Sequence, residues 1–596
     1  MDALSNCLLY LAPTELSRNA VPPRRVMVIG SYLTEEWHHI WTDLQSTTQI
    51  DHFLFNELDE LPEAPPGPPE DYAFQVIQLP SQDVYKNGAL RSLPWNDPET
   101  AESLFRHAQQ LVLQMCERAT AWTRRYRIPT YLAGYQVPQI NPMGRYAPRF
   151  DLRNIQYFTE RLNETLANWA QDQANVYYVD WDGLTSIYGK KYMQGDMVWE
   201  TEHGGIISNF DQELDAKRLA PMTPMTEHYV INYIDPIRSF WFDLVAMYRT
   251  LQGLDTVKAV VIDLDDTLWR GVARDDGFVS NEGWVHGFVE ALMWLKQRGI
   301  MLVTLSKNDE AWIREHWTVF TKIPWDAFVM HSINWDPKPP RMVEIAKALN
   351  IRLDSIVYID DNPVEVQAMR EALPDVRVLD PDPYYWKRTL LWSAETQQLT
   401  WTDESLQKTR MMQGQLQRDA SKEVMEWSEF LQTLKLQVTV TRVKQWPTPQ
   451  TQRLWELFQK TNQFNTTGRR YSLAEFEDRL QAGDQLYMAT AQDQWTTYGI
   501  IGAVWVKDHR IDHLILSCRV MGLGVEHAMV AAISQCSDTG LPLEAVWSPS
   551  GKNDACHTVW SSFRWHLDHL EDSSEIWTPG SDTVIECPSH IQIVIS

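Results

Sequence analysis

Short, nearly unbroken apolar runs alternate with longer helical patterns through the first two thirds of the chain. Strand-like runs fall at residues 26–29, 130–133 and 176–179, with helical periodicity at 102–125 and 154–173. A second series follows at 259–262, 301–305, 327–329 and 355–359. Apolar runs of this length, bounded by polar turns, suit strands covered on both faces, and their alternation with helices predicts parallel sheets. The Pro- and acid-rich stretch at 60–70 is expected to be loop. After a polar helical connector at 404–418 the texture changes. Strands are expected at 436–443, 486–491, 500–506 and 513–517, and a helix from about residue 524. The expected domains are 1–255, 256–395, a connector at 396–430, and 431–596. A chain of 596 residues needs several cores.

Charge narrows the function classes. With 53 Lys and Arg against 79 Asp and Glu, the formal net charge is −26. Nucleic-acid binding, which rests on neutralising phosphates, is not expected. The cysteines (Cys7, Cys116, Cys518, Cys536, Cys556 and Cys587) are scattered, without a paired spacing that suggests zinc or a disulfide framework. No apolar run approaches the roughly 20 residues that span a bilayer. A soluble cytoplasmic protein without a membrane partner is expected.

Four features of the second segment fall at the ends of expected parallel strands, where α/β sheets gather their ligands. Asp263-Leu264-Asp265-Asp266-Thr267 follows the first strand. A carboxylate there suits a nucleophile toward phosphorus, and a second one two residues on suits an acid/base. Ser306-Lys307-Asn308 offers a hydroxyl and loop amides to phosphoryl oxygens. Lys338 supplies a positive charge, and Asp360-Asp361-Asn362-Pro363 supplies further oxygens. Asp263, Asp265, Asp360 and Asp361 are the candidate ligands of Mg²⁺, without which nucleophile and phosphate repel. Each piece alone has a plain structural reading: a helix cap, a solvated lysine, a turn. Their order at successive strand ends resembles the haloacid dehalogenase (HAD) superfamily. The gaps between motifs, about 42 and 31 residues, leave no room for a large lid. An open site implies a substrate carried by something bulky.

In the last segment, Leu516-Ser517-Cys518-Arg519-Val520-Met521-Gly522-Leu523-Gly524 links a strand to a helix. Glycines there let backbone approach an anion at the helix start. The spelling resembles the loop of GNAT acyltransferases that holds the pyrophosphate of CoA, so Arg519, Gly522 and Gly524 are candidate cofactor contacts. Cys518 is a candidate acyl carrier, although a free cysteine is more commonly a small core residue.

Together with Thr461-Asn462-Gln463-Phe464-Asn465 and Ile333-Asn334-Trp335, these strings resemble the FkbH-like glyceryl transferase/phosphatases. That resemblance implies a multidomain α/β protein: an SGNH-like flavodoxin-type domain, a capless HAD Rossmann-like domain and a GNAT-like α+β domain. It implies a reaction in which a three-carbon unit from 1,3-bisphosphoglycerate is dephosphorylated and loaded as a thioester on an acyl carrier protein. A phosphopantetheine arm is then a second ligand beside Mg²⁺. The catalytic set is Asp263, Asp265, Ser306, Lys338 and Cys518. The chain departs from the family at Asp266, where Asn is usual, and at Arg270, where Gly is usual. In the first segment Ser31 stands where a hydrolase nucleophile belongs, but Gly134 replaces an expected Asn, and His228 is a base only by default. Arg124-Arg125-Tyr126-Arg127 and Arg469-Arg470 are candidate docking patches for an acidic carrier. A simple phosphatase and a non-catalytic scaffold are the alternatives.

Overall fold

The computed structural model describes residues 8–19, 21–31, 33–45, 47–55, 60–81, 84–85, 96–139, 141–193, 218–220, 223, 227, 230, 232–253, 255–273, 287–422, 426–444, 448–536, 544–580 and 585–596. Two compact units are present, one formed by residues 1–14 and 19–252, the other by 15–18 and 253–596.

The first unit contains β1 (Arg25–Gly30), α1 (Leu33–Leu44), β2 (Gln49–Leu54), β3 (Tyr72–Gln78), α2 (Pro98–Ala119), α3 (Ala121–Tyr126), β4 (Thr130–Ala133), α4 (Ile155–Gln171), β5 (Val176–Val179), α5 (Trp181–Tyr188) and α6 (Ile234–Gln252). Its sheet is parallel, in the order β2-β1-β3-β4-β5. Alternate residues of β1 feed opposite layers: Met27 and Ile29 pack on one face, Val26 and Val28 on the other. That period-two division is why the strand reads as a continuous apolar run.

The second unit opens with β6 (Ala259–Ile262), α7 (Phe288–Gln297), β7 (Met301–Ser306), α8 (Glu310–Phe320), β8 (Met330–Ile333), α9 (Lys338–Ala348), β9 (Ile356–Ile359), α10 (Pro363–Ala372), β10 (Arg377–Val378) and α11 (Pro383–Trp392). These strands form a parallel sheet in the order β10-β9-β6-β7-β8. Helices start promptly after the strands because caps are built in. Asp309 accepts from the Trp312 amide (3.1 Å), and Asn362, followed by Pro363, accepts from the Val364 amide (2.9 Å).

The connector forms α12 (Asp403–Lys422) and α13 (Trp427–Leu434). Gln413 on α12 donates to the Phe328 carbonyl (2.9 Å), while Arg418 lies 3.3 Å from Asp493. The helix therefore ties the β6–β10 layer to the remaining elements: β11 (Leu436–Arg442), α14 (Pro449–Lys460), α15 (Leu473–Gln481), β12 (Gln485–Gln492), β13 (Thr497–Lys507), β14 (Arg510–Leu516), α16 (Val525–Cys536), β15 (Glu544–Trp547), α17 (Val559–Ser562), β16 (Trp565–Glu571), β17 (Ser574–Pro579) and β18 (Ile591–Ile595). They make an eight-stranded sheet, β16-β17-β15-β14-β13-β12-β11-β18. Its β11–β14 part is antiparallel, and the β14–β15 pairing is parallel.

Three local differences from the sequence reading stand out. The helix expected at 102–125 is broken at Thr120, whose hydroxyl bonds back to the Cys116 carbonyl (2.7 Å). The strand expected at 327–329 lies at Met330–Ile333, an edge position where a half-polar sequence suffices. β2 and β3, which set the order of the first sheet, carry internal polar residues. Gln75 in β3 is fully buried and donates to Thr123 (2.8 Å) and Thr130 (2.9 Å). Among the described residues, no helix is long and apolar enough to cross a membrane.

Candidate active site

Parallel pairing brings four loops to one edge of the β6–β10 sheet. β6 is flanked by β9 and β7, so Asp263, Ser306 and Asp360 emerge side by side from adjacent strand ends. The Asp263 amide donates to the Ile359 carbonyl (3.0 Å), which fixes the first carboxylate beside the fourth motif. Lys338 starts α9 and is 3% exposed. Its Nζ donates to Asp263 Oδ1 (2.7 Å) and to Asp360 Oδ2 (2.6 Å).

Electrostatics follow from this burial. Desolvation pushes the Asp263 carboxyl above the ordinary range, Lys338 pulls it down, and Asp360 pushes it up again. Burial would lower Lys338, but the two carboxylates outweigh it and hold the ammonium above its usual value. The lysine's direction decides the chemistry: a cation kept charged between two acids presents Asp263 as a carboxylate.

Asp360 is fully buried and its oxygens are all engaged. Oδ2 accepts from Lys338 and the Tyr358 hydroxyl, and Oδ1 from the Asn362 amide (2.9 Å). Thr267 links the first and fourth motifs: its hydroxyl donates to Asp361 Oδ1 (3.2 Å) and accepts from the Asp361 amide (3.0 Å).

Asp263, Asp360 and Asp361 each offer an oxygen within 4.8 Å of the others. Opposite ligands of Mg²⁺ lie about 4.2 Å apart, so this all-oxygen trio fits that ion after small adjustments. Asp265 is not in the trio. Its Oδ1 accepts from the Trp269 indole (3.0 Å) and the Ala273 amide (3.0 Å), and its Oδ2 from Asn308 (3.0 Å). Burial raises its carboxyl, which suits a proton donor better than a ligand.

Two departures noted in the sequence have physical readings. Asp266 adopts φ +51°, a left-handed conformation that Asn and Asp tolerate, and its exposed side chain accepts from the Gly271 amide (2.7 Å). Its charge is thereby spent on a turn. Arg270 is exposed.

Residues that sequence reasoning passed over support the site. Tyr358 resembles a core strand residue, yet its hydroxyl reaches Asp360. Arg341, 3% exposed, holds the Ser306 carbonyl (3.2 Å) and the Asn334 carbonyl (3.0 Å), fixing β7 against the loop that leads to Lys338. Its spacing of three from Lys338 on α9 was the available signal. Of the two tryptophans near the motifs, Trp269 is buried and Trp335 is 69% exposed.

The other candidates lie elsewhere. Ser31 is buried and its carbonyl accepts from the Thr34 amide (2.9 Å) and hydroxyl (2.7 Å). A Cβ at Gly134 would stand 2.3 Å from the Tyr178 hydroxyl, so the tyrosine fills the space an Asn would need. His228 lies outside the described residues. In the docking patches, Arg124 pairs with Glu117 (3.1 Å), Arg125 with Glu63 (2.7 Å), and Arg470 donates to the Phe458 carbonyl (2.8 Å).

The loop around Cys518 does not fit a pantetheine arm or its pyrophosphate. Cys518 is exposed. Arg519 turns inward, donating to Ser517 Oγ (3.0 Å) and the Ile500 carbonyl (3.2 Å). An arm with two amides needs a free strand edge, and among the described residues β14 offers none there. It pairs with β15 only at Arg510 and Ile511, and the segment around Asn465 covers its remaining edge. The Leu516 amide donates to the Phe464 carbonyl (3.0 Å), the Thr466 amide to the Leu514 carbonyl (3.0 Å), and the amide of Ser548, just after β15, to the Thr466 carbonyl (2.8 Å). Gly524 packs on Pro588, and His590 bonds the Leu523 carbonyl (2.8 Å). Glu526 places an acid in the first turn of α16, where an incoming anion would meet it.

No protein-family model and no curated protein matches the chain. Among solved structures, it is similar to the N-terminal part of a Bacteroides fragilis protein containing a phosphatase domain, complexed with Mg, at 19% identity and a TM-score of 0.44. That match covers 66% of this chain and all of the other. A putative acylhydrolase of B. fragilis (13% identity, TM-score 0.18) matches over 36% of this chain and 93% of its own. A GDSL-like lipase of Bacteroides thetaiotaomicron (14%, 0.17) matches over 35% and 93%. None of the three reaches a TM-score of 0.5, and the case for the site rests on its own geometry.

Proposed function

We propose that the second unit is a Mg²⁺-dependent phosphoryl-transfer centre of the HAD type, acting on a small phosphate ester or acyl phosphate. The observation that carries this reading is the buried Asp263–Lys338–Asp360 triad at adjacent parallel strand ends, with Asp361 completing an oxygen trio. Asp263 attacks phosphorus, the bond to the leaving oxygen breaks, and Asp265 delivers a proton to that oxygen. Asp265 then takes a proton from water, whose oxygen attacks the aspartyl-phosphate and releases phosphate. Ser306 and Lys338 hold phosphoryl oxygens. Asp263, Asp360 and Asp361 would hold Mg²⁺, which would supply the charge that lets two anions meet.

The experiment is release of inorganic phosphate from p-nitrophenyl phosphate and from acyl phosphates, with Mg²⁺ or EDTA. Asp263→Asn is expected to lower turnover by at least about a thousandfold, since it removes the nucleophile. Turnover that survives Asp263→Asn, or that ignores EDTA, refutes the assignment. The narrower reading, a glyceryl unit delivered to an acyl carrier protein, rests on the sequence resemblance. Intact-mass measurement of a holo carrier incubated with the chain, Mg²⁺ and 1,3-bisphosphoglycerate tests it, a gain of one glyceryl unit being expected. Phosphate release without that gain leaves a plain phosphatase.

A further inference from the structure

Lys307 and Glu365 form an ion pair, Nζ to Oε1 2.5 Å, that the reaction above does not use. Lys307 directly follows β7, and Glu365 stands in the first turn of α10, just after β9. Those strands flank β6 on opposite sides, so they run about 10 Å apart. A bond between side chains rooted on both flanks has to cross the end of β6, where Asp263 emerges. The pair therefore bridges the two loops that flank the strand end from which Asp263 emerges.

Charge accounting makes the lysine surplus. The transferring phosphate would have Lys338 to offset it and, when bound, a cation held by the oxygen trio. Lys307 adds a further ammonium farther out, 38% exposed and balanced by a carboxylate rather than used. The ammonium is reachable from solvent while the Glu365 side chain, 14% exposed, is held beneath it, so an incoming anion can share or take over the ammonium from the solvent side. A substrate bearing only the reacting phosphate has no use for Lys307. One bearing a second anionic group on a short carbon chain does.

We propose that Lys307 is a specificity residue that reads a second anionic group, carboxylate or phosphate, on a phosphorylated small molecule. Glu365 is its internal placeholder. This rests on the phosphoryl-transfer reading.

The test uses the full chain with Asp265→Asn, which slows turnover and leaves the oxygen trio intact. Dissociation constants for inorganic phosphate and for 3-phosphoglycerate are measured by calorimetry in Mg²⁺. Adding Lys307→Met is expected to weaken 3-phosphoglycerate at least tenfold and phosphate less than threefold. Adding Glu365→Gln is expected to tighten 3-phosphoglycerate, a gain that misfolding cannot mimic. Equal weakening of both ligands, no weakening of 3-phosphoglycerate, or a loss with Glu365→Gln overturns the proposal. Failure of phosphate to bind the Asp265→Asn chain defeats the phosphoryl-transfer reading itself. Phosphate binding without any preference for 3-phosphoglycerate defeats this proposal alone.

Discussion

Lys338 carries its charge to a place where water cannot follow, and two carboxylates meet it there. Removing one member of such a buried set leaves uncompensated charge and typically costs about 3–5 kcal/mol. Lys338→Met, which keeps the side chain's length, is therefore expected to lower the melting temperature of the second unit by several degrees in EDTA. Part of that loss should return with Mg²⁺, because a divalent cation supplies the missing positive charge between Asp263 and Asp360. Melts with and without Mg²⁺ check both signs. A variant as stable as the parent in EDTA would mean the triad is not formed. Asp266 makes a complementary point: the carboxylate that stands where Asn is usual in the resembled family is engaged with the Gly271 amide in a left-handed turn.

Strand β8 places His331 between Trp325 and Thr304. One ring nitrogen donates to the Trp325 carbonyl (3.1 Å) and the other accepts from the Thr304 hydroxyl (3.0 Å), with the ring stacked on Trp325. Neutral imidazole satisfies both partners, and burial lowers its pKa from the usual 6.5 to about 4. The unfolded chain gains this proton first as pH falls, so the stability contributed is present above pH 6.5 and lost on the way down to about 4. The loss is on the order of 3 kcal/mol. His331→Gln should flatten that part of the stability profile in denaturant titrations at pH 7, 5.5 and 4.5; parallel profiles would contradict the burial argument. The same strand shows where sequence reading falls short. An edge strand needs no apolar run, so Met330-His331-Ser332-Ile333 gave no strand signal while the buried 327–329 did. β6, β7 and β9 were legible because both of their faces are covered. The four motifs were legible because chemistry-bearing residues stood at those strands' ends. Tyr358 was not, since a tyrosine inside a strand looks like core until its hydroxyl is placed. The segment at 461–465 belongs to the strings that carry the family resemblance, but its part in closing the edge of β14 depends on long-range pairing. His513 shows how firmly that segment is held: it bonds Asn465 (2.6 Å) on one side and Tyr471 (2.9 Å) on the other.

At the scale of the whole chain, the charge of −26 sets a field that a phosphorylated substrate must enter. The cations that would welcome it, Lys338 and Lys307, are each matched by carboxylates within 3 Å, so they project little attraction into solvent. Long-range repulsion and short-range capture thus have opposite signs here. Salt separates them by range: the Debye length shrinks from about 30 Å at 0.01 M to about 8 Å at 0.15 M, which screens the distant carboxylates far more than contacts inside the site. Attractive steering would make kcat/KM fall with salt; this chain should show the reverse, a rise of about two- to threefold over that range for a dianionic phosphate ester. The measurement is kcat/KM for p-nitrophenyl phosphate at fixed free Mg²⁺ and pH, with potassium chloride varied. A steep fall would show that a positive field reaches beyond the mouth of the site, and the local balance of lysines and carboxylates described above could not produce one.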